Sequence, residues 1–139
     1  SSDLQLFLIG GASGSGKTTI AWNMYDFGRH EALPVAADDF MVNEDGEYEF
    51  DHRRLPEVHA KCQDNVRCSM ENKCSRIYVA NTFTTMKERQ PYHDLAKEHG
   101  YEVFDTITLN THGSKNVHGA PDETIDDQRH RLAETVKAI

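Results

Sequence analysis

Eight residues constrain this chain more than any others: Gly11-Ala12-Ser13-Gly14-Ser15-Gly16-Lys17-Thr18. They satisfy the pattern G-x-x-x-x-G-K-[ST] at every position, and their surroundings suit it. Before them, Leu4-Gln5-Leu6-Phe7-Leu8-Ile9 is a short apolar run of the kind that makes a buried parallel strand. After them, Ile20, Ala21, Met24 and Phe27 recur at helical spacing, up to Gly28 as a C-terminal cap. Strand, glycine loop and helix in that order point to an α/β architecture.

The residue types have a chemical reason. Gly11, Gly14 and Gly16 allow backbone conformations in which successive N–H groups point inward at phosphate oxygens. The helix that follows adds the positive end of its dipole. Lys17 reaches the β- and γ-phosphates of a nucleotide in this reading, and the Thr18 hydroxyl binds Mg²⁺. The whole stretch is assigned to the nucleotide: Gly11, Ala12, Ser13, Gly14, Ser15, Gly16, Lys17, Thr18 and Thr19.

Composition narrows the class. A length of 139 residues suits a single domain spanning residues 1–139, with enough chain for a real core. No run approaches the ~20 apolar residues of a membrane helix, and Leu4–Ile9 is too short for a secretory leader. Three cysteines argue for a reducing, cytoplasmic setting rather than a disulfide framework. The net charge of −8 excludes broad, non-specific wrapping of duplex DNA, though not a local contact with a nucleic-acid end or a nucleotide.

Pro34-Val35-Ala36-Ala37 is expected to be a second strand that delivers Asp38-Asp39-Phe40 at its carboxyl end, where ligands bind in parallel sheets. One acid there can serve as general base; the other can hold Mg²⁺ water or cap the next turn. Asp38 carries the functional reading more than Asp39. Asp51 is read as the cap of a long helix with Leu55, Val58, Cys62, Val66 and Met70 as its apolar stripe. Cys62, Cys68 and Cys74 lack zinc-ligand spacing even with His59 nearby. His59 and Arg54 are candidates for an acceptor site over the sheet.

Arg76–Asn81 is the next expected strand. Asn81 stands where many related loops carry a metal-holding Asp; its neutral amide can only bond a metal-bound water, leaving the metal to Thr18 and Asp38. Thr85-Met86-Lys87-Glu88 fits a capping box. Arg89 is read as exposed, either solvated or in contact with a phosphate or acceptor. Pro91 is expected to restart the helix, and Gly100 to end it. Tyr101–Leu109 reads as another strand. The polar segment 110–120, with His112, Lys115 and His118, is either an ordinary surface loop or a lid over transferring phosphate. Pro121 opens the last expected helix, buried through Ile125, Leu132, Val136 and Ile139.

Taken together, the chain resembles the small P-loop kinases related to the kinase half of phage polynucleotide kinase. The matching segments are Gly11–Thr18, Ala37–Phe40, Phe50-Asp51-His52, His59 with Cys62, Val79–Thr84, Pro91-Tyr92 with Leu95-Ala96, and Asn116 with His118–Pro121. They run in order along nearly the whole chain. The resemblance implies ATP and Mg²⁺ as cofactors and phosphoryl transfer to a hydroxyl, often a 5′-hydroxyl of DNA or another nucleic acid. It also implies that the first Asp of the pair, Asp38, is the general base. Phage kinases of hydroxymethylpyrimidines in DNA look similar too, which would place the reaction in a host cytoplasm. In this family the lid usually carries arginine; Lys115 supplies charge without the planar fork.

The expected fold is a three-layer α/β P-loop NTPase fold with a mainly parallel sheet and a short lid. The expected catalytic set is Asp38, Lys17 and Lys115, with Asp39, Arg54, His59, Asn81 and Arg89 toward the acceptor. A small-molecule or free-nucleotide kinase is the nearest rival, and a nucleotide-binding module without transfer is the rival from another class.

Overall fold

Two apolar strands, Gln5–Gly11 (β1) and Arg76–Ala80 (β2), lie side by side and parallel, with Leu6 opposite Ile77 and Leu8 opposite Val79. In the computed structural model, which describes residues 3–12, 15–26 and 29–108, a third strand, Glu102–Thr108 (β3), pairs parallel with the other edge of β1. The strand order β2-β1-β3 puts the phosphate-loop strand in the centre. Ser13, Gly14, Phe27, Gly28, the lid at 110–120 with Lys115, and the last expected helix lie outside the described residues.

Alternation along β1 and β2 separates two cores. Leu6, Leu8, Ile77 and Val79 face one side, where they meet the helices Leu55–Glu71 (α2) and Met86–His99 (α3). Ile9, Tyr78 and Ala80 face the other side, against Ala21 of the helix Lys17–Met24 (α1). Helices on both faces of a parallel sheet make the three layers expected from the sequence. Phe7 stacks between Tyr78 and Phe104 across the strands, at centroid distances of 5.3 and 5.0 Å.

The α2 stripe holds. Val58, Cys62, Val66 and Met70 are fully buried, each side chain worth about 1.5–3 kcal/mol by its removal from water. Asp51 does cap the start, through a short 3₁₀ turn His52–Arg54 that runs into the helix. The shorter α1 differs: of its apolar residues Ala21 faces the sheet, while Ile20 and Met24 are exposed.

Two expectations need correction. Pro34–Ala37 is not a strand. It lies along the outer edge of β2 through isolated parallel bridges, Glu31 with Arg76 and Val35 with Val79. Pro34 has no N–H to donate, so the ladder is interrupted between them. Pro91 does not restart the helix either; α3 runs unbroken across it from Met86 to the left-handed cap at Gly100. Among the described residues no helix is long and apolar enough to cross a membrane.

Candidate phosphate site and its supporting loops

The phosphate loop leaves the carboxyl end of β1. Gly16 sits at φ 88°, in the left-handed region that glycine adopts without strain, and from there α1 begins. The Ser15 N–H donates to the Ala12 carbonyl at 3.0 Å, closing the loop on itself. Ser15 Oγ and Thr108 Oγ1 are 2.6 Å apart, and Thr108 Oγ1 also donates to the Gly10 carbonyl at 3.2 Å. A Cβ at Gly11 would collide with both hydroxyls, so glycine there is a matter of space. Thr108 thus braces the loop from β3. Sequence reasoning missed it, because the two hydroxyls stand 93 residues apart and carry no shared motif.

Lys17 is buried, with Nζ donating to the Ala12 carbonyl at 3.4 Å. Burial pushes its pKa below the ordinary lysine value, and the Asp38 carboxylate opposes that shift. A phosphate anion in the loop would oppose it further. The site fits that ligand through a helix N-terminus opened by Gly16 and a desolvated ammonium at Lys17.

Asp38 and Asp39 lie in a 3₁₀ turn, Ala37–Phe40, packed on α2. Their carboxylates part company. Asp39 Oδ2 accepts from the Ala36 N–H at 2.9 Å, which is the cap of its own turn. Asp38 is half-buried, and its charge acts on Lys17 and on Tyr48. Thr18 shares a cavity of about 80 Å³ with Asp39, between α1 and Pro34–Ala36. Among the described residues no three His, Cys, Asp or Glu side chains cluster as a metal cage. The Thr18 hydroxyl is the side chain that would hold Mg²⁺, an ion that keeps most of its waters and binds through substrate phosphates.

The remaining candidates have structural duties. Arg54 donates to the carbonyls of Val42 and Phe40 at 2.7 and 3.3 Å and pairs with Glu57, so it clamps the chain just past the acidic turn. His59 is half-buried on α2. Asn81 is buried: Oδ1 accepts from the Ala37 N–H at 2.7 Å and Nδ2 donates to Cys62 Sγ at 3.8 Å. Arg89 corrects the expectation most. It is fully buried, paired to Asp105 at 2.9 Å and stacked over Phe83 at 5.1 Å. A charge inside the protein has to be paired, and β3 supplies the partner. The Asn81 and Arg89 side chains are both buried and bonded within the protein.

Three comparisons place this geometry. The chain superposes over its whole length on 47% of a chain from the Pnkp1/Rnl/Hen1 RNA repair complex, with TM-score 0.76 and 15% identity. It also superposes, 99% against 99%, on the Mycobacterium tuberculosis APS kinase CysC bound to AMPPNP and APS, with TM-score 0.50 and 14% identity. The human NEDD4-binding protein 2 is 31% identical over 129 residues, which is 88% of this chain and 7% of that protein. The chain therefore spans a small part of that relative's length. A model for the AAA domain, AAA_33, matches residues 6–135. With the phosphate loop, the parallel sheet and the acidic turn all inside that span, the chain belongs to the AAA_33 family of AAA domains.

Proposed function

We propose that the chain is an ATP-dependent phosphotransferase that moves a γ-phosphoryl group onto a hydroxyl of a nucleic acid. The acceptor is either a 5′-hydroxyl end or the hydroxymethyl group of a modified pyrimidine in DNA. One observation carries the reading: the segment after β2 bonds both the strand end that opens the glycine loop of Lys17, through the Gly11 N–H, and the turn that carries Asp38, through the Ala37 N–H, so a candidate base stands beside a candidate phosphate loop. A chain of the Pnkp1/Rnl/Hen1 RNA repair complex shares this fold, which supports a nucleic-acid acceptor.

Bound ATP with Mg²⁺ would supply the phosphoryl group and much of the charge neutralisation. The N–H groups of the loop and of the first turn of α1, other than those of Gly11 and Ser15, hold the phosphates, and Lys17 keeps positive charge on the transferring group. Thr18 and Asp38 are the side chains assigned to the cation. Asp38 orients the acceptor hydroxyl and takes its proton as the new O–P bond forms. Lys115, in the lid, adds a second cation in this reading, and His59 borders the acceptor. Asp39 stays with its own turn.

A second reading, a small-molecule or free-nucleotide acceptor, has its own support. The net charge is −8, and Glu44, Asp45 and Glu49 with Arg54 border an open cavity beyond the Asp38 turn. A long polyanion gains little there.

Labelled γ-phosphate decides between them. DNA with a free 5′-hydroxyl, DNA with blocked ends and 5-hydroxymethyluracil, and the constituent nucleosides are offered in parallel with Mg²⁺. Label on either DNA is the expected result; label on nucleosides alone selects the second reading. Asp38→Asn should lower transfer roughly 10²–10⁴-fold while ATP binding persists, as loss of a general base does. Full activity in that variant removes Asp38 from the mechanism.

A further inference from the structure

The end of β2 and the residues just after it bond both the strand that opens the phosphate loop and the segment that opens the acidic turn. The Asn81 N–H donates to the Ile9 carbonyl at 3.2 Å, and the Thr82 carbonyl accepts from the Gly11 N–H at 3.1 Å. These two bonds tie the segment to the strand end from which the phosphate loop starts. On the other side, the Ala80 N–H donates to the Val35 carbonyl at 2.9 Å, and Asn81 Oδ1 takes the Ala37 N–H at 2.7 Å. Ala37 is the first residue of the turn that carries Asp38. Asn81 is therefore a short covalent link between two hydrogen-bonded contacts, one to the loop strand and one to the turn.

We propose that Asn81 is a positioning residue: its side chain fixes the Asp38 turn relative to the phosphate loop and so sets the distance from base to transferring phosphate. This rests on the function proposed above for what the distance does, and not for the existence of the link. The geometry favours it on three counts. The bond is short and buried, where a hydrogen bond holds direction best. Nδ2 of the same amide is held by Cys62 from α2, so the side chain cannot rotate away without losing a second contact. Without its partner, the Ala37 N–H would be a buried donor left unmade, and the turn would shift to satisfy it. A neutral amide suits this duty better than a carboxylate, because it accepts from the Ala37 N–H, donates to Cys62 Sγ and adds no charge at a buried position.

The test removes the bond from each end. Asn81→Leu deletes the acceptor. Ala37→Pro deletes the donor: the backbone accepts it, since Ala36 is extended at φ −139° and ψ 151° and Ala37 opens a helical turn, but the ring is pressed against the Asn81 Oδ1 that lies 2.7 Å from the nitrogen, so the single variant loses the bond and gains a clash that the double variant relieves. Each variant should lower kcat for transfer about tenfold or more, since misplacement on the order of 1 Å can cost up to about 10²-fold. ATP affinity should stay within about twofold, and the double variant should be no slower than the slower single one. Additive losses, an unchanged kcat in Ala37→Pro, or ATP affinity falling in step with kcat would each overturn the assignment.

Amide exchange separates this from the proposed function. If the wild-type protein labels no acceptor, the phosphotransferase reading fails, yet the link is still read directly. Slow exchange at Ala37 and Met41 should be lost in Asn81→Leu while Val79 and Ala80 stay protected. Equal protection of Ala37 in both proteins would sink the proposal.

Discussion

The loops after β1 and β2 leave adjacent parallel strands at the same end of the sheet, and they are built in opposite ways. The first is stripped of side chains. It turns through glycine at φ 88°, and among its described residues the Ser15 N–H bonds the Ala12 carbonyl and the Gly11 N–H bonds the Thr82 carbonyl. The second is crowded with side chains that point inward. It turns through Phe83 at φ 46°, a conformation that costs a non-glycine residue about 1–2 kcal/mol. That strain is held by a buried ring packed edge-on to Tyr92 and by Arg89, which donates to the Phe83 carbonyl at 3.4 Å. One loop is shaped to receive phosphate; the other is shaped to hold the first loop and the acidic turn in place. Breaking the first should therefore abolish activity without loss of stability, and breaking the second should do the reverse or both.

Lys17→Met is the sharpest test of the first half. Transfer should fall roughly 10²–10³-fold, the scale for removing one preorganised charge-stabilising group. Stability should rise instead, because the substitution removes a charge that burial disfavours. The sign with pH follows from the same shift. The folded-state pKa of Lys17 is lowered, so its burial cost is full below that pKa and fades as pH rises through it toward the ordinary lysine value. Wild type should then gain on Lys17→Met in thermal stability toward alkaline pH, while its transfer activity declines over the same range. Urea unfolding and initial rates across that range check both slopes. A Lys17→Met protein less stable than wild type at neutral pH would mean the ammonium supports the empty loop.

Arg89→Met tests the second half. It leaves Asp105 without its guanidinium partner, removes the bond to the Phe83 carbonyl and takes the cation from over the Phe83 ring. Loss of one member of a buried pair costs about 3–5 kcal/mol; because the Asp105 side chain is 21% exposed and keeps His93 Nε2 at 2.8 Å, about 2 kcal/mol is expected here. Because a Cβ at Gly10 would meet the same guanidinium, the loss is felt directly beneath the phosphate loop. Urea midpoints measure it. A change under about 1 kcal/mol would show that the strained turn at Phe83 is held by apolar packing alone.

The same contrast explains what could be read from the sequence. The phosphate loop was legible because its chemistry is local: glycines, Lys17 and Thr18 act within eight residues. The α2 stripe was legible because burial at Val58, Cys62, Val66 and Met70 follows helical periodicity. The second loop was not, because every partner arrives through the sheet. Asn81 read as a metal-water contact, and its true partners, the Ala37 amide and the Cys62 thiol, lie 44 and 19 positions away. Arg89 read as a surface charge, since nothing near it in sequence announces Asp105, and only β3 brings the carboxylate under the loop. Pro34 was in plain view; its missing N–H should have demoted the expected strand to an edge contact.

The smallest predicted effect separates the strained turn from the helix that follows it. Thr85 Oγ1 accepts from the Glu88 N–H at 3.3 Å and caps α3, as the sequence suggested. Glu88 does not complete the box on Thr85. Its carboxylate reaches one residue further, to the Thr84 N–H at 2.6 Å and the Thr84 hydroxyl at 3.1 Å. The cap and the loop anchor are thus separate bonds made by neighbouring residues. Thr85→Ala should cost about 1 kcal/mol, the usual loss of an N-cap hydroxyl, and leave kcat unchanged because Glu88 still holds Thr84. Glu88→Gln keeps a side-chain oxygen for the Thr84 amide and should also preserve kcat, whereas Glu88→Ala should lower both stability and rate. A fall in kcat in Thr85→Ala equal to that in Glu88→Ala would mean that the loop takes its rigidity from the helix cap. The hydrogen bonds within the loop would then be too weak to hold Asn81 against the turn by themselves.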